Sequence, residues 1–334
     1  MKSPITGKEM ILKKEKRSLV FRKEEFPVMY HYYLCKDSKE QFTSTELDDA
    51  NMKQIYNQYR DKYNLPFPDD INEIREKYGV SATKMSEILG FGVNSYRNYE
   101  SGEVPSLANA RLIQLANDPK KFKELVDLSD TLETDAKDKL VKKIEHLIDK
   151  EKKEIFSFKL QGYLLDNRHA DEYTGYRKPT LERLTEMVVF FTEELQPWKT
   201  KMNKLLFYAD FLLFKRTGTS MSGACYRAIN MGPVPNNYHS LFEFMANNDD
   251  VDLCETEFND GGHGEQFKPN KKRKFNPKLF SQIELDTLKA VAKQFKTMGT
   301  KAIIDFSHKE KGWKKNEEER DLISYQKYAF DLTI

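Results

Sequence analysis

The chain lacks most of what would mark a secreted, fibrous or membrane protein. Only three of its 334 residues are cysteine. Cys35, Cys225 and Cys254 are odd in number and widely scattered, which argues against a disulfide framework and for a reducing compartment. No apolar run approaches the roughly 18 residues of a membrane span. Met1-Lys2-Ser3-Pro4 leads into no apolar stretch, so no secretory signal is expected and cytoplasmic localisation is the default. The 15 glycines and 12 prolines follow no period, which excludes collagen-like repeats. Net charge is nearly absent: 55 Lys+Arg against 53 Asp+Glu leave +2, which by itself favours no nucleic-acid partner.

Catalytic signatures are missing too. There is no phosphate loop and no dinucleotide fingerprint. Cys225, His239 and Asp210 hold the residue types of a thiol triad, but no strand-turn-helix elbow or oxyanion-hole signature surrounds Cys225. His263 stands alone in a glycine-rich loop with Gly261, Gly262 and Gly264. No enzyme, no cofactor and no catalytic residue are expected.

What is present is a solvated chain of about two domains, with 39% hydrophobic and 32% charged residues and a mean hydropathy of −0.74. The expected class is mainly α with small β elements (α+β). Residues 1–45 read as a small β module, in which Val28, Tyr30, Tyr32 and Leu34 alternate with Met29, His31 and Tyr33 and Lys16–Arg22 supplies a partner strand. Residues 46–66 read as a connector helix with Thr45 as its N-cap, broken at Asn64-Leu65-Pro66-Phe67-Pro68. Residues 67–118 hold four short helices punctuated by Gly79, Gly90 and Gly102. Residues 119–178 read as a charged helical linker. Residues 179–334 open with helices Thr180–Leu195 and Lys199–Thr217. A strand at Tyr226–Met231 follows, then a stiff Gly232-Pro233-Val234-Pro235 turn, a helix from Asn237 and a strand at 252–258. A basic run at 270–274 leads to a helix opened by the Ser281-Gln282-Ile283-Glu284 capping box.

Within 67–118, Ser81–Gly90 and Asn94–Ser101 suit two helices braced across a glycine-bearing turn, with Met85, Ile88, Leu89, Val93 and Tyr96 as the apolar wedge. The run from Val80 to Gly90, then Asn94-Ser95-Tyr96-Arg97-Asn98-Tyr99-Glu100-Ser101-Gly102 and Pro105-Ser106, resembles the Xre family of Cro/C1-type helix-turn-helix proteins. The resemblance implies that the second helix enters a major groove. Its exposed polar positions are Asn94, Ser95, Arg97 and Asn98; Asn98 suits adenine, and Arg97 suits guanine or a phosphate. Thr83 and Lys84 suit phosphate or edge contacts. Arg75 and Glu100 match family positions that pair structurally. A homodimer on two half-sites of double-stranded operator DNA is expected. The segment carries five basic side chains against eight acidic ones, whereas residues 1–45 carry ten against six.

Two further resemblances frame this module. Ser3-Pro4-Ile5-Thr6-Gly7 and Cys35-Lys36-Asp37-Ser38 are similar in spacing to the paired Cys-x-x-Cys motifs of YgiT/MqsA-type antitoxins, with three of the four sulfurs replaced. No metal is expected, because a structural zinc wants four Cys/His ligands. Near the other end, Lys201-Met202-Asn203-Lys204-Leu205-Leu206-Phe207-Tyr208-Ala209-Asp210-Phe211, Thr217-Gly218, Ser222-Gly223, Tyr226, Gly232-Pro233-Val234-Pro235 and Ser307–Trp313 resemble the SocA/Panacea antitoxin domain. That implies an antitoxin that represses its own operon and restrains a cognate toxin protein. The alternative is a transcriptional regulator of a mobile element or operon, with a ligand-sensing or dimerising C-terminal domain.

Overall fold

Period-two alternation before residue 43 and helical periodicity after it translate into a mainly helical chain with three small antiparallel sheets. The computed structural model describes residues 1–153, 155–166, 168–257 and 263–334, without the side chains of 149–153 and 155–159. Phe258, Gly261 and Gly262 lie outside the described residues. In chain order the elements are β1 (Ile11–Phe21), β2 (Glu24–Leu34), β3 (Gln41–Phe42), α1 (Thr45–Tyr63), α2 (Pro68–Tyr78), α3 (Ala82–Ile88), α4 (Ser95–Glu100), α5 (Leu107–Ala116), α6 (Pro119–Leu128), α7 (Thr134–Lys153) and α8 (Ile155–Leu164). Then come α9 (Leu181–Leu195), α10 (Lys199–Thr217), β4 (Tyr226–Ile229), β5 (Gly232–Pro235), α11 (Tyr238–Asn247), β6 (Val251–Glu257), β7 (His263–Pro269), α12 (Gln282–Phe295), α13 (Thr300–Ser307), α14 (Lys311–Lys314) and α15 (Tyr325–Tyr328). Among the described residues no helix is long and apolar enough to cross a membrane.

Contacts divide the chain into two compact units, Ile55–Leu160 and Met1–Gln54 with Gln161–Ile334. In the first, Pro68 opens α2, where its missing N–H costs nothing, and the Asp70 carboxylate accepts the Phe67 N–H at 2.9 Å. The helix therefore begins before the Asp70 start expected from sequence. Ile71, Ile74 and Tyr78 face a core shared with Met85, Tyr96, Ile113, Phe122 and Val126. Tyr78 stacks on Phe122 with centroids 3.9 Å apart and donates its hydroxyl to the Ala116 carbonyl at 2.7 Å. Segment 119–153, expected as a linker, closes this core: Leu140 and Ile144 of α7 are buried in it, and Leu147 and Ile148 pack alongside. The lysines and glutamates of α7 take the other faces, so a charged composition conceals one apolar stripe.

In the other unit β1 and β2 form a hairpin in register from Ile11↔Leu34 to Phe21↔Glu24. The other edge of β2 is covered by side-chain amides of α1. Asn51 accepts the His31 N–H at 2.8 Å and donates to the His31 carbonyl at 2.9 Å. Gln54 does the same for Met29, at 2.8 and 2.9 Å. Two amides three residues apart thus stand in for a strand on an edge that would otherwise be open. Ser44, not Thr45, caps this helix, accepting the Leu47 N–H at 3.4 Å. The hairpin is tied to the C-terminal segment of the same unit, with Lys14 donating to the Phe330 carbonyl and His31 packing on the Phe330 ring at 5.4 Å.

The core of this unit is α10, in which every residue from Lys201 to Phe214 is buried. Each large apolar side chain so placed contributes about 1.5–3 kcal/mol. Phe211 stacks on Tyr325 at 4.1 Å and Tyr208 packs on Phe295 at 4.7 Å. Gly232–Pro235 is a strand, not the turn that its prolines suggest. It pairs with β4, and Pro233 and Pro235 stand opposite Ala228 and Tyr226 in a two-stranded ribbon that tolerates their missing donors. Strand β7 was not expected at all; of its seven residues only Phe267 is buried.

Candidate functional site

Helices α3 and α4 are held at a fixed angle by a polar contact inside an apolar wedge. Ser81 caps α3 by accepting the Lys84 N–H at 3.1 Å. One turn on, the buried Ser86 hydroxyl accepts the Tyr96 N–H at 3.0 Å, and the Ser86 carbonyl accepts the Phe91 N–H at 2.7 Å. Tyr96 then reaches through the core to the Ile71 carbonyl at 2.8 Å. Arg75 and Glu100 pair at 2.6 Å, clamping α2 to the end of α4. Arg60, fully buried, donates to the Gly102 and Glu103 carbonyls at 2.7 and 3.2 Å and fixes the loop beyond α4.

This frame leaves one face of α4 in solvent. Asn94, Arg97 and Asn98 are exposed and Ser95 is half-buried. Thr83 and Lys84 on α3 are half-buried, and the Lys84 ammonium pairs with Glu87 at 2.8 Å. Val93 does not join the wedge: it is 63% exposed, and Phe91 packs edge-on to Tyr99 instead, at 6.1 Å. Ser86 is the residue that sequence reasoning passed over. The available signal was a serine in mid-helix on the apolar side, where a hydroxyl must find a partner.

The N-terminal turns converge as their spacing suggests. The Gly7 N–H bonds the Ser3 carbonyl and the Lys39 N–H bonds the Cys35 carbonyl, each at 2.9 Å. Gly7 and Lys39 both take positive φ, 68° and 62°. Two matching turns thus present Ser3, Thr6, Cys35 and Ser38 to one another. Thr6 Oγ1 lies 3.4 Å from Cys35 Sγ, and hydrogen bonds from Ser38, Thr6 and Ser3 pull the Cys35 thiol down to about 6. Three hydroxyls and one thiol are not a zinc donor set. Among the described residues no group of three or more His, Cys, Asp or Glu side chains could hold a metal.

In α10 the Asp210 carboxylate is fully buried and takes four donors: the Met221 and Ser222 N–H groups at 2.7 and 2.8 Å, the Ser222 hydroxyl at 2.6 Å and the Tyr226 hydroxyl at 2.8 Å. Burial pushes its carboxyl up, and the four donors oppose that shift. Its partners account for the Ser222, Gly223 and Tyr226 spacing: a loop and a strand are hung from one side chain. Near the chain end, His308 stacks on Trp313 at 3.9 Å, and Trp313 donates to the Ile229 carbonyl at 2.8 Å. Residues 202–314 match the family model for the antitoxin SocA-like, Panacea domain. This segment is a Panacea domain. No curated protein matches the chain.

The Panacea domain spans α10 through α14 and connects the chain with toxin–antitoxin biology. Its antitoxin-like family points to a regulatory rather than an enzymatic role. Within the Panacea domain the residue types of a thiol triad do not assemble. Asp210 is committed to Ser222 and Tyr226, and burial pushes the Cys225 thiol up to about 12, away from the thiolate a nucleophile needs.

Proposed function

We propose that the protein is the antitoxin of a toxin–antitoxin pair, repressing its own operon through α3 and α4 and neutralising its toxin through the Panacea domain. The observation that carries the reading is the match of residues 202–314 to an antitoxin-domain family. DNA binding is supported by the solvent-facing Asn94, Arg97 and Asn98 on a helix braced from behind by Ser86 and Tyr96. In this reading α4 is the recognition helix, Asn98 and Arg97 read base edges, and Thr83 and Lys84 hold phosphates. The acidic balance of residues 67–118 makes a single copy a weak DNA binder. A homodimer spanning two half-sites about 34 Å apart, or a multiple of that, supplies the missing affinity.

The test is co-expression with the product of the adjacent gene. Relief of its toxicity by the full chain, lost when the Panacea domain is disrupted, supports the reading. A neighbour that is harmless when expressed alone overturns it. DNA binding is tested separately by titrating salt against the upstream operator region, where phosphate contacts give an affinity that falls steeply with salt.

A further inference from the structure

At the start of α10 lies a cavity of about 170 Å³ that the antitoxin reading does not use. Its polar lining is Lys199, Thr200, Asn203, Lys204, Tyr238 and His239, and no acidic side chain lines it. Lys204 is fully buried and its ammonium meets one acceptor, the Pro233 carbonyl at 3.1 Å. Asn203 is 3% exposed, and its Oδ1 has no hydrogen-bond partner. His239 packs on the Tyr238 ring at 4.0 Å. Lys199 is occupied by Glu265 at 2.5 Å.

Three features favour an anion here. The cavity sits on the first turns of a 19-residue helix whose N-cap, Trp198, offers no side-chain acceptor, so the positive end of the helix faces it uncancelled. The backbone makes room for the lysine: a Cβ on Gly232 (φ 94°) would strike Ser307 Oγ and come within 2.7 Å of Lys204 Cε. Burying an ammonium with a single acceptor is costly, and Met or Leu would fill the same space without that cost. Size then limits the guest. A drug-sized ligand needs roughly 300–1,000 Å³, so this cavity takes one functional group, not a nucleotide. With Lys199 held by Glu265, one buried cation and one amide match a singly charged carboxylate better than a phosphate dianion.

We propose that Lys204, Asn203 and the N-terminus of α10 form a binding site for a single carboxylate group, with Tyr238 and His239 at its side. The inference stands apart from the toxin and operator readings. Burial pushes the Lys204 amine down to about 7, so the empty site titrates near neutrality, and a bound anion holds the proton on.

Calorimetry and thermal melting of the full chain at pH 6.5 test this with four probes: glutarate, its uncharged diamide, inorganic phosphate, and an N-acetylated, C-amidated Ala-Glu-Ala peptide. Glutarate is expected to bind and raise the melting midpoint, and the diamide is not. Lys204→Met is expected to lower glutarate affinity by at least about tenfold, the worth of a hydrogen bond to a charged group. Asn203→Leu, which leaves the lysine in place, gives a second reading of the same loss should Lys204→Met fold poorly. Binding of glutarate but not the peptide assigns the site to a free small acid. Binding of the peptide assigns it to an acidic side chain of a protein partner. No response to either carboxylate, an equal response to phosphate, or undiminished binding in both variants overturns the proposal.

Discussion

The buried Ser86 hydroxyl accepts the backbone N–H of Tyr96 at 3.0 Å, joining the third turn-forming helix of its unit to the helix that follows. A backbone donor near the start of α4 is thereby satisfied by a side chain on α3, so the angle between the two helices is set by one polar contact inside the wedge. Ser86→Ala leaves that N–H buried without a partner and is expected to cost about 1–3 kcal/mol. Urea unfolding followed by circular dichroism measures it. Ser81→Ala, which removes only an exposed helix cap, is expected to cost about 0.5–2 kcal/mol. A Ser86→Ala chain as stable as wild type would show that the wedge alone holds the angle.

The exposed face of α4 makes a second, separable prediction. Asn98→Ala is expected to weaken binding to the cognate operator by about 1–3 kcal/mol and to leave binding to scrambled duplex nearly unchanged. Lys84→Ala, in contrast, is expected to weaken both and to lower the slope of log affinity against log salt by about 0.9 per lost phosphate contact. Fluorescence anisotropy at several salt concentrations distinguishes the two. Equal losses on both duplexes for Asn98→Ala would remove it from base reading.

How much of this was readable beforehand depends on whether a local pattern suffices. The capping box at Ser281 was legible, and the structure closes it with the Ser281 N–H on Glu284 at 2.7 Å. Helix α10 was legible because it is apolar on nearly every side. Strand β7 was not, since one buried residue, Phe267, carries no alternation. Val93 was misplaced because its side chain direction depends on the path of the turn between α3 and α4, which hydrophobicity does not report. Lys204 was illegible as a site for another reason: its burial comes from β5, some thirty residues away, folding over it, and no window of sequence around a lysine reveals that.

The paired turns at the N-terminus predict a gain of function. Ser3, Thr6, Cys35 and Ser38 hold first and fourth positions of two matching turns, with Thr6 Oγ1 already 3.4 Å from Cys35 Sγ. Replacing the three hydroxyls, Ser3→Cys with Thr6→Cys and Ser38→Cys, is expected to create a tetrahedral four-thiolate zinc site. One equivalent of zinc should bind, measured by mass spectrometry of the intact chain, and the melting midpoint should rise and fall again with a chelator. A triple variant that takes up no zinc would mean that the turns diverge in solution.

Asp210 serves as the hanger for the loop before β4. Asp210→Asn keeps the shape but sets an amide N–H₂ against donors that include the Met221 and Ser222 N–H groups. The expected loss is about 1.5–3 kcal/mol or more, the scale of hydrogen bonds to a charged group. Tyr226→Phe removes one donor of four and is expected to cost less. Thermal melting of the two variants ranks them, and a reversed order would contradict the assignment of Asp210 as the organising residue.

Lys204 yields a prediction whose sign runs against intuition. Its amine sits at about 7 in the folded chain against a model value of 10.5, so between those values the unfolded chain binds the proton and the folded chain does not. Stability from this group therefore rises with pH from about 7 to about 10.5, and below about 7 the folded state carries the full cost of a buried ammonium. Groups facing the amine do not reverse this, because Lys199 and His239 are the other titratable bases of the cavity and Glu265 is neutralised by Lys199. Lys204→Met should thus be more stable than wild type at pH 7, by an amount on the order of 4 kcal/mol at most. The difference should shrink as pH approaches 10, measured by denaturant unfolding of both chains in parallel across the range. Adding glutarate at pH 6.5 should narrow it from the other side, by stabilising only the chain that keeps the lysine. A Met variant less stable than wild type at every pH would mean that the Lys204–Pro233 bond stabilises the hairpin more than burial of the charge costs.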